Sequence, residues 1–277
     1  MRHLQPIKSL VRRKAGTAPG SGPSLTAPSL RAMTYNIHSC IGLDRKYDPE
    51  RIFHLIAEVN PDILALQELR GFSEDHDQFE MFARRLGLAS VFGYTFRARR
   101  YRFGNGLFVR GEVLESSIID LSIAPYEARC AIDAVVVVRG CRCRVIAAHL
   151  GLRPAERRLQ IHHLQEALQR RSEPFTLFMG DFNIFGPERR RLRHLGAPDP
   201  MPRVRTFPSI RPTMSLDRIW SIPGRLGSLA AYRDHGARWA SDHLPLVADV
   251  LPLHGLTAPE ITSAADSPAG AVAAASD

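Results

Sequence analysis

Residues 175–183 read FTLFMGDFN, and the change of character halfway through this stretch decides the fold. Phe175–Met179 is an apolar run of strand length, too short for a helix. It ends in Gly180-Asp181-Phe182-Asn183, where Asp and Asn are turn formers through bonds to their own backbone. The same pattern, an apolar run that delivers polar residues at its end, recurs along the chain. Leu30–Ile37 carries Asn36 and runs into His38, and Asp62–Leu66 (DILAL) delivers Gln67 and Glu68. The run RVIAAHL carries His149, Leu216–Trp220 contains Asp217, and Asp242-His243 precedes a strand at Leu244–Val250.

Between these strands the periodicity switches. Asp48-Pro49 opens a helix with Asp as N-cap and Pro at its first position, and Ile52, Leu55, Ile56 and Val59 give it an apolar face until Pro61. Phe79, Phe82, Ala83 and Leu86 form a second amphipathic helix. A third runs from Pro154 to about Arg171, with Ile161, Leu164 and Leu168 inward. Further strands are expected at Gly106–Arg110, Ser117–Leu121, Ala131–Val138, Cys143–His149 and Leu226–Tyr232, with Arg139-Gly140 as a hairpin turn. Many strands with few helices predict an α/β protein of two packed sheets flanked by helices in one domain. That domain spans 30–254. Residues 1–29, rich in Gly, Pro, Ser, Thr and basic residues, read as a flexible leader, and residues 255–277 as a disordered tail.

The chain has 277 residues, 44% hydrophobic and 23% charged, which is ordinary for a globular protein. Bulk disorder, a disulfide miniprotein and a fibrous repeat are excluded. No stretch approaches the roughly 18 apolar residues of a membrane-spanning helix. The basic N-terminus lacks an apolar segment of about 7–15 residues behind it, so no secretory signal is expected. Cys40, Cys130, Cys141 and Cys143 form no CxxC pair, and reduced thiols in a cytoplasmic monomer are the expectation. The formal charge is +9, carried by arginine, since lysine occurs only at Lys8, Lys14 and Lys46. Such a balance favours phosphate-bearing partners, nucleic acid among them.

Each polar residue at a strand end has an ordinary reading as a turn former, a cap or a surface charge. As a set they read differently. Carboxylates, asparagines and histidines gathered at the ends of apolar strands can coordinate a hard cation and move protons. Oxygen-rich donors without paired cysteines point to Mg²⁺ or Mn²⁺ rather than structural zinc. The chain has no GxSxG elbow, no GxxxxGK[ST] loop and no HExxH. His162-His163 with Glu166 reads as solvated helix surface.

Five motifs in order, Thr34-Tyr35-Asn36-Ile37-His38, Leu66-Gln67-Glu68, Gly180-Asp181-Phe182-Asn183, Leu216-Asp217-Arg218-Ile219 and Ser241-Asp242-His243-Leu244-Pro245, resemble the endonuclease/exonuclease/phosphatase superfamily. One such tetrapeptide alone is weak; five in order over residues 34–245 are specific. The resemblance implies a DNase I-like four-layer α/β/β/α sandwich of two packed mixed sheets and Mg²⁺-dependent cleavage of a phosphoester. It makes Glu68 the principal metal ligand, with Asn36 and Asp242 completing the site directly or through water. Asp181 and Asn183 would orient the attacking water and the phosphate, and Asp217 would hold His243 in its working tautomer. His149 matches a histidine of the DNase I-like, sphingomyelinase-like and phosphatase-like members, absent from the exonuclease III-like ones. It is a candidate general acid for which no carboxylate partner is evident.

The leading expectation is therefore a phosphodiesterase, with endonuclease or exonuclease activity as the named possibility. A hydrolase of phospholipid head groups or soluble phosphate esters is the alternative, and an inactive nucleic-acid-binding scaffold the third reading. For substrate binding the sequence offers arginines. Arg97, Arg99, Arg100 and Arg102 fall in an expected loop, and Arg189, Arg190, Arg191 and Arg193 in a short helix opened by Pro187. Either cluster could rim the phosphate site.

Overall fold

The computed structural model of the chain describes residues 29–251 except 72–76, 99, 100, 171, 172, 174 and 224. Of the expected leader only Ser29 lies among the described residues, and the expected tail, 255–277, lies outside them.

Strands β1 (Leu30–Asn36), β2 (Ile63–Gly71), β3 (Ala89–Ala98), β4 (Tyr101–Val109), β10 (Arg225–Ala231) and β11 (Leu246–Leu251) form one sheet in the order β10-β11-β1-β2-β4-β3. Strands β5 (Glu112–Asp120), β6 (Cys130–Val138), β7 (Cys141–His149), β8 (Thr176–Asp181) and β9 (Asp217–Ile222) form the other in sequential order. Both sheets are mixed. The β1–β2 and β7–β8 pairs are parallel, and each is joined by a helix because a parallel step needs a crossover. Helix α1 (Pro49–Val59) makes the first crossover, and the Asp48 side chain accepts from Glu50 N at its start. Helix α3 (Pro154–Arg170) makes the second. Helix α2 (Gln78–Leu86), capped by Asp77, follows β2, and the short α4 (Ala237–Ala240) precedes β11.

Three apolar layers hold this stack together. Between the sheets, Ala32, Ile63, Leu107, Ile132, Val136, Val145, Leu177 and Ala248 pack face to face. Outside the first sheet, Ile52, Leu55 and Ile56 of α1 and Phe79 and Phe82 of α2 cover Met33, Tyr35 and Leu64. Outside the second, Ile161 and Leu164 of α3 cover Ile146, Phe178 and Trp220. The layers run α/β/β/α, as the resemblance implied. Cys141 and Cys143 point into the inter-sheet core, and all four cysteines are free and buried. No helix among the described residues is long and apolar enough to cross a membrane.

Two features differ from the sequence reading. Strand β2 does not stop at Leu66 but continues to Gly71 through a bulge between Leu66 and Leu69, so Glu68 sits inside the strand. The segment expected as an arginine-bearing loop is a hairpin, in which β3 pairs with β4 as far as Ala98 opposite Tyr101, with Arg97 opposite Arg102. Strand β3 itself, ASVFGYTFRA, was not anticipated, although Phe92, Tyr94 and Phe96 alternate with Gly93 and Thr95. Aromatic packing of Phe92 and Tyr94 on Phe79 fixes it.

Candidate functional site

The topology gathers the polar strand ends. In the second sheet His149, Asp181 and Asp217 are register partners on three neighbouring strands and form one row. The first sheet supplies Asn36 at the end of β1 and Glu68 from the β2 bulge, and the turn before β11 supplies Asp242 and His243. Asn36, Glu68, His149, Asp181, Asn183, Asp242 and His243 line one cavity of about 460 Å³. Asp217 stands behind His243, at 2.9 Å from Nδ1. His38 is exposed and Gln67 hydrogen-bonds Thr34, so neither belongs to the lining.

Local backbone chemistry explains each placement. Glu68 has φ 63°, a left-handed conformation that costs a non-glycine residue energy; the bulge turns its carboxylate toward the other sheet. Gly180 has φ 144°, and a Cβ there would lie 1.9 Å from the Ala148 carbonyl oxygen, so the GD step requires glycine where β7 and β8 touch. Asp181 Oδ1 accepts from Asn183 N at 3.0 Å, the turn-forming bond that its residue type predicts. Its Oδ2 is left to face the cavity, 3.2 Å from Asn36 Nδ2 and 3.7 Å from Nε2 of both His149 and His243. Ser241 Oγ donates to the Asn36 carbonyl, tying the Ser241–His243 turn to β1. The Phe207 ring packs 4.8 Å from the His243 ring, and Ser209 Oγ donates to the Ser241 carbonyl.

The two histidines are held in opposite charge states. Burial by itself lowers the His243 imidazole, but Asp217 and Asp181 outweigh it and lift it well above the usual histidine range. Burial pushes the Asp181 carboxyl up, and the neighbouring Asp217 adds to this against the pull of His243. His149 is pushed well down, first by burial and then by Arg129 and His243. It is a neutral imidazole at pH 7. Arg129 Nη1 lies 3.1 Å from both of its ring nitrogens and donates to the one with the free lone pair. Arg129 Nη2 donates to Glu127 Oε2 at 2.8 Å.

Arg129 is the site residue that the sequence reading missed. The partner sought for His149 was a carboxylate, and an arginine just ahead of an apolar strand carries no signal of its own. Of the arginine clusters, Arg99 and Arg100 lie outside the described residues, and Arg102 is paired with Asp77. Arg189 faces a neighbouring cavity, Arg193 pairs with Asp199, and Arg190 and Arg191 are exposed.

Within this site two sets of residues could hold a cation. Atoms of Asp181, Asp217 and His243 lie within 4.8 Å of one another, but His243 Nδ1 is already engaged with Asp217, and a protonated imidazole is no ligand. Glu68 and Asp242 line the cavity. Glu68 Oε1 accepts from Asn36 Nδ2 at 2.9 Å, which leaves Glu68 Oε2 and the Asp242 carboxylate for a hard cation.

Two mixed sheets packed face to face, with acids, amides and a histidine–aspartate pair meeting at one end, define a DNase I-like α/β sandwich. The model for the Endonuclease/Exonuclease/phosphatase family matches residues 33–243, and the chain belongs to that family. It is 27% identical over 247 residues to YbhP of Escherichia coli strain K12, a protein described only as uncharacterized, covering 80% of this chain and 96% of that one. An endonuclease/exonuclease/phosphatase from Beutenbergia cavernae superposes with a TM-score of 0.67 at 21% identity, over 81% of this chain and 72% of that one. TDP2 of D. rerio, solved with a single-strand DNA product, gives a TM-score of 0.60 at 19% identity, over 80% and 98% of the two chains.

Proposed function

We propose that the chain is a divalent-cation-dependent phosphodiesterase acting on nucleic acid. The observation that carries this reading is the meeting of Glu68, Asp181, Asp242, Asn183 and His243 around one cavity from both sheets. Glu68 and Asp242 would hold the cation with Asn36 beside them, and their oxygen donors suit Mg²⁺ or Mn²⁺. When bound, such a cation neutralises charge growing on the phosphoryl oxygens.

The remaining work falls to the chain. Asp181 Oδ2 accepts from the attacking water and Asn183 helps to orient the phosphate. His243, protonated and fixed by Asp217 at Nδ1, presents Nε2–H to the phosphate or its leaving oxygen. Asp217 keeps that tautomer in place. His149, neutral, contributes a hydrogen bond rather than an imidazolium proton. Arg129 orients it and adds a cation to the phosphate side of the cavity, where fixed donors stabilise developing negative charge. Family membership and the DNA-bound TDP2 relative support the phosphoester and nucleic-acid parts of this reading.

The test is turnover of bis(4-nitrophenyl) phosphate, 4-nitrophenyl phosphate and plasmid DNA, each with Mg²⁺ and with EDTA. Cleavage of the diester and the DNA in Mg²⁺ alone is expected. Preference for the monoester would shift the assignment to a phosphatase, and cleavage of none would leave a scaffold.

A further inference from the structure

Phe185 and Met214 border the cavity described above and also border a second one, a trough of about 720 Å³. Arg189, Arg203, Arg205, Arg218 and Arg233 line the trough, and no acidic residue does. Two nearby arginines are neutralised, Arg157 by Glu188 and Arg193 by Asp199. Among the described residues the five have no such ion pair. Arg218 is the telling member. It is 5% exposed, its Nη2 donates to the Ile184 carbonyl at 3.2 Å, and its Nε has no partner. A buried N–H left unpaired costs free energy, and such groups call for an acceptor. Burial lowers Arg218 to about 10, Arg189 and Arg203 push it the same way, and Asp217 and Asp181 oppose them. Guanidinium groups that share one trough with no acidic side chain in its lining repel one another, and an oxyanion relieves that repulsion while accepting their hydrogen bonds.

Phe185 stands between the two cavities and is 55% exposed. An exposed aromatic ring between the carboxylate-lined cavity, where a cation would meet the scissile phosphate, and an arginine-lined trough suits a nucleotide base with a phosphate on either side. We propose that the trough is a second phosphate subsite, which holds the phosphate next to the scissile one in a single-stranded nucleic acid while the intervening base lies on Phe185. This rests on the phosphodiesterase reading and adds the substrate's second anchor.

The test uses thymidine 5′-(4-nitrophenyl phosphate) with and without a 3′-phosphate, which share one scissile bond. The 3′-phosphorylated ester should have a kcat/KM at least about tenfold higher, as one or two charge-assisted hydrogen bonds would give. In Arg203→Gln/Arg205→Gln/Arg233→Gln, all exposed positions, the ratio should fall to near one. A ratio near one in the parent, or one that survives in the triple variant, overturns the subsite. A glycerol-based pair of esters giving the same ratio overturns the base contact on Phe185. Calorimetry decides the subsite even if neither ester is cleaved. Thymidine 3′,5′-bisphosphate should bind about tenfold tighter than thymidine 5′-monophosphate, and only in the parent; equal affinities would refute the subsite whatever becomes of the hydrolase reading.

Discussion

One amide group, Asn36 Nδ2, bridges carboxylates from the two sheets, Glu68 of the first and Asp181 of the second. Their oxygens therefore stand close before any substrate arrives, and the two amide N–H groups between them offset their repulsion. Glu68→Gln keeps an acceptor for Asn36 and removes the charge. It should melt at the parent's temperature and lose Mg²⁺-dependent turnover by about 10²-fold or more; a Mg²⁺ titration of kcat beside a thermal melt measures both. His243→Ala should cost about 10²–10⁴-fold in kcat, the usual range for a proton-transfer group. Asp217→Asn should approach that loss, because Nδ1–H then faces an amide instead of a carboxylate. Near-parental turnover in either variant would remove the histidine–aspartate pair from the mechanism.

Elements place these residues through exceptions to regular geometry. The β2 bulge moves Glu68 out of the strand's ordinary alternation, and Gly180 lets β8 approach β7 so closely that Asp181 shares a row with His149. Gly180→Ala would drive its methyl into the Ala148 carbonyl, and β7 and β8 would have to part. A destabilisation of about 2 kcal/mol or more is expected, with turnover falling alongside. Gly140, in the β6–β7 hairpin, is the control. It has φ 76° and nothing within 4 Å of an added Cβ, so Gly140→Ala should cost only the backbone term of about 1–2 kcal/mol. Denaturant melts and kcat for the two variants compare steric contact with backbone preference. Equal effects would mean that the close approach at Gly180 is not what the GD step needs.

Across the molecule, the second sheet carries a buried ion pair far from any catalytic need. Arg144 Nε and Nη2 donate to Asp133 at 2.8 and 2.6 Å, and Nη2 also reaches the Ala167 carbonyl, tying β6 and β7 to α3. In sequence Arg142 and Arg144 alternate with Cys141 and Cys143, which reads as cysteines inward and arginines in water. Arg144 is instead 1% exposed, because α3 covers that face too. Removing one partner leaves a buried charge, so Arg144→Met should cost about 3–5 kcal/mol in urea unfolding. Arg144→Met/Asp133→Leu should recover most of it. A double variant no more stable than the single would mean that the pair organises α3 through its carbonyl bond rather than through charge balance.

Local chemistry was enough to find most of the strands, the three longer helices, the cap at Asp48, the turn after Gly180, and most of the acids, amides and histidines that line the cavity from Asn36 to His243. Period-2 and period-3.6 patterns report burial, and Gly, Asp and Asn report backbone conformation, so both are written along the chain. The continuation of β2 past Leu66 and the burial of Arg144 depend on which surfaces lie opposite, and no local pattern encodes that. The same holds within the site. Asn36, Glu68, Asp181, Asp217 and His243 could be named one by one, but the charge of each histidine could not. His149 closes an apolar strand and His243 precedes one; one is neutral and the other protonated because burial and Arg129 act on the first while Asp217 and Asp181 face the second. Those neighbours come from 20, 26 and 62 residues away in sequence, and only folding brings them within bonding distance.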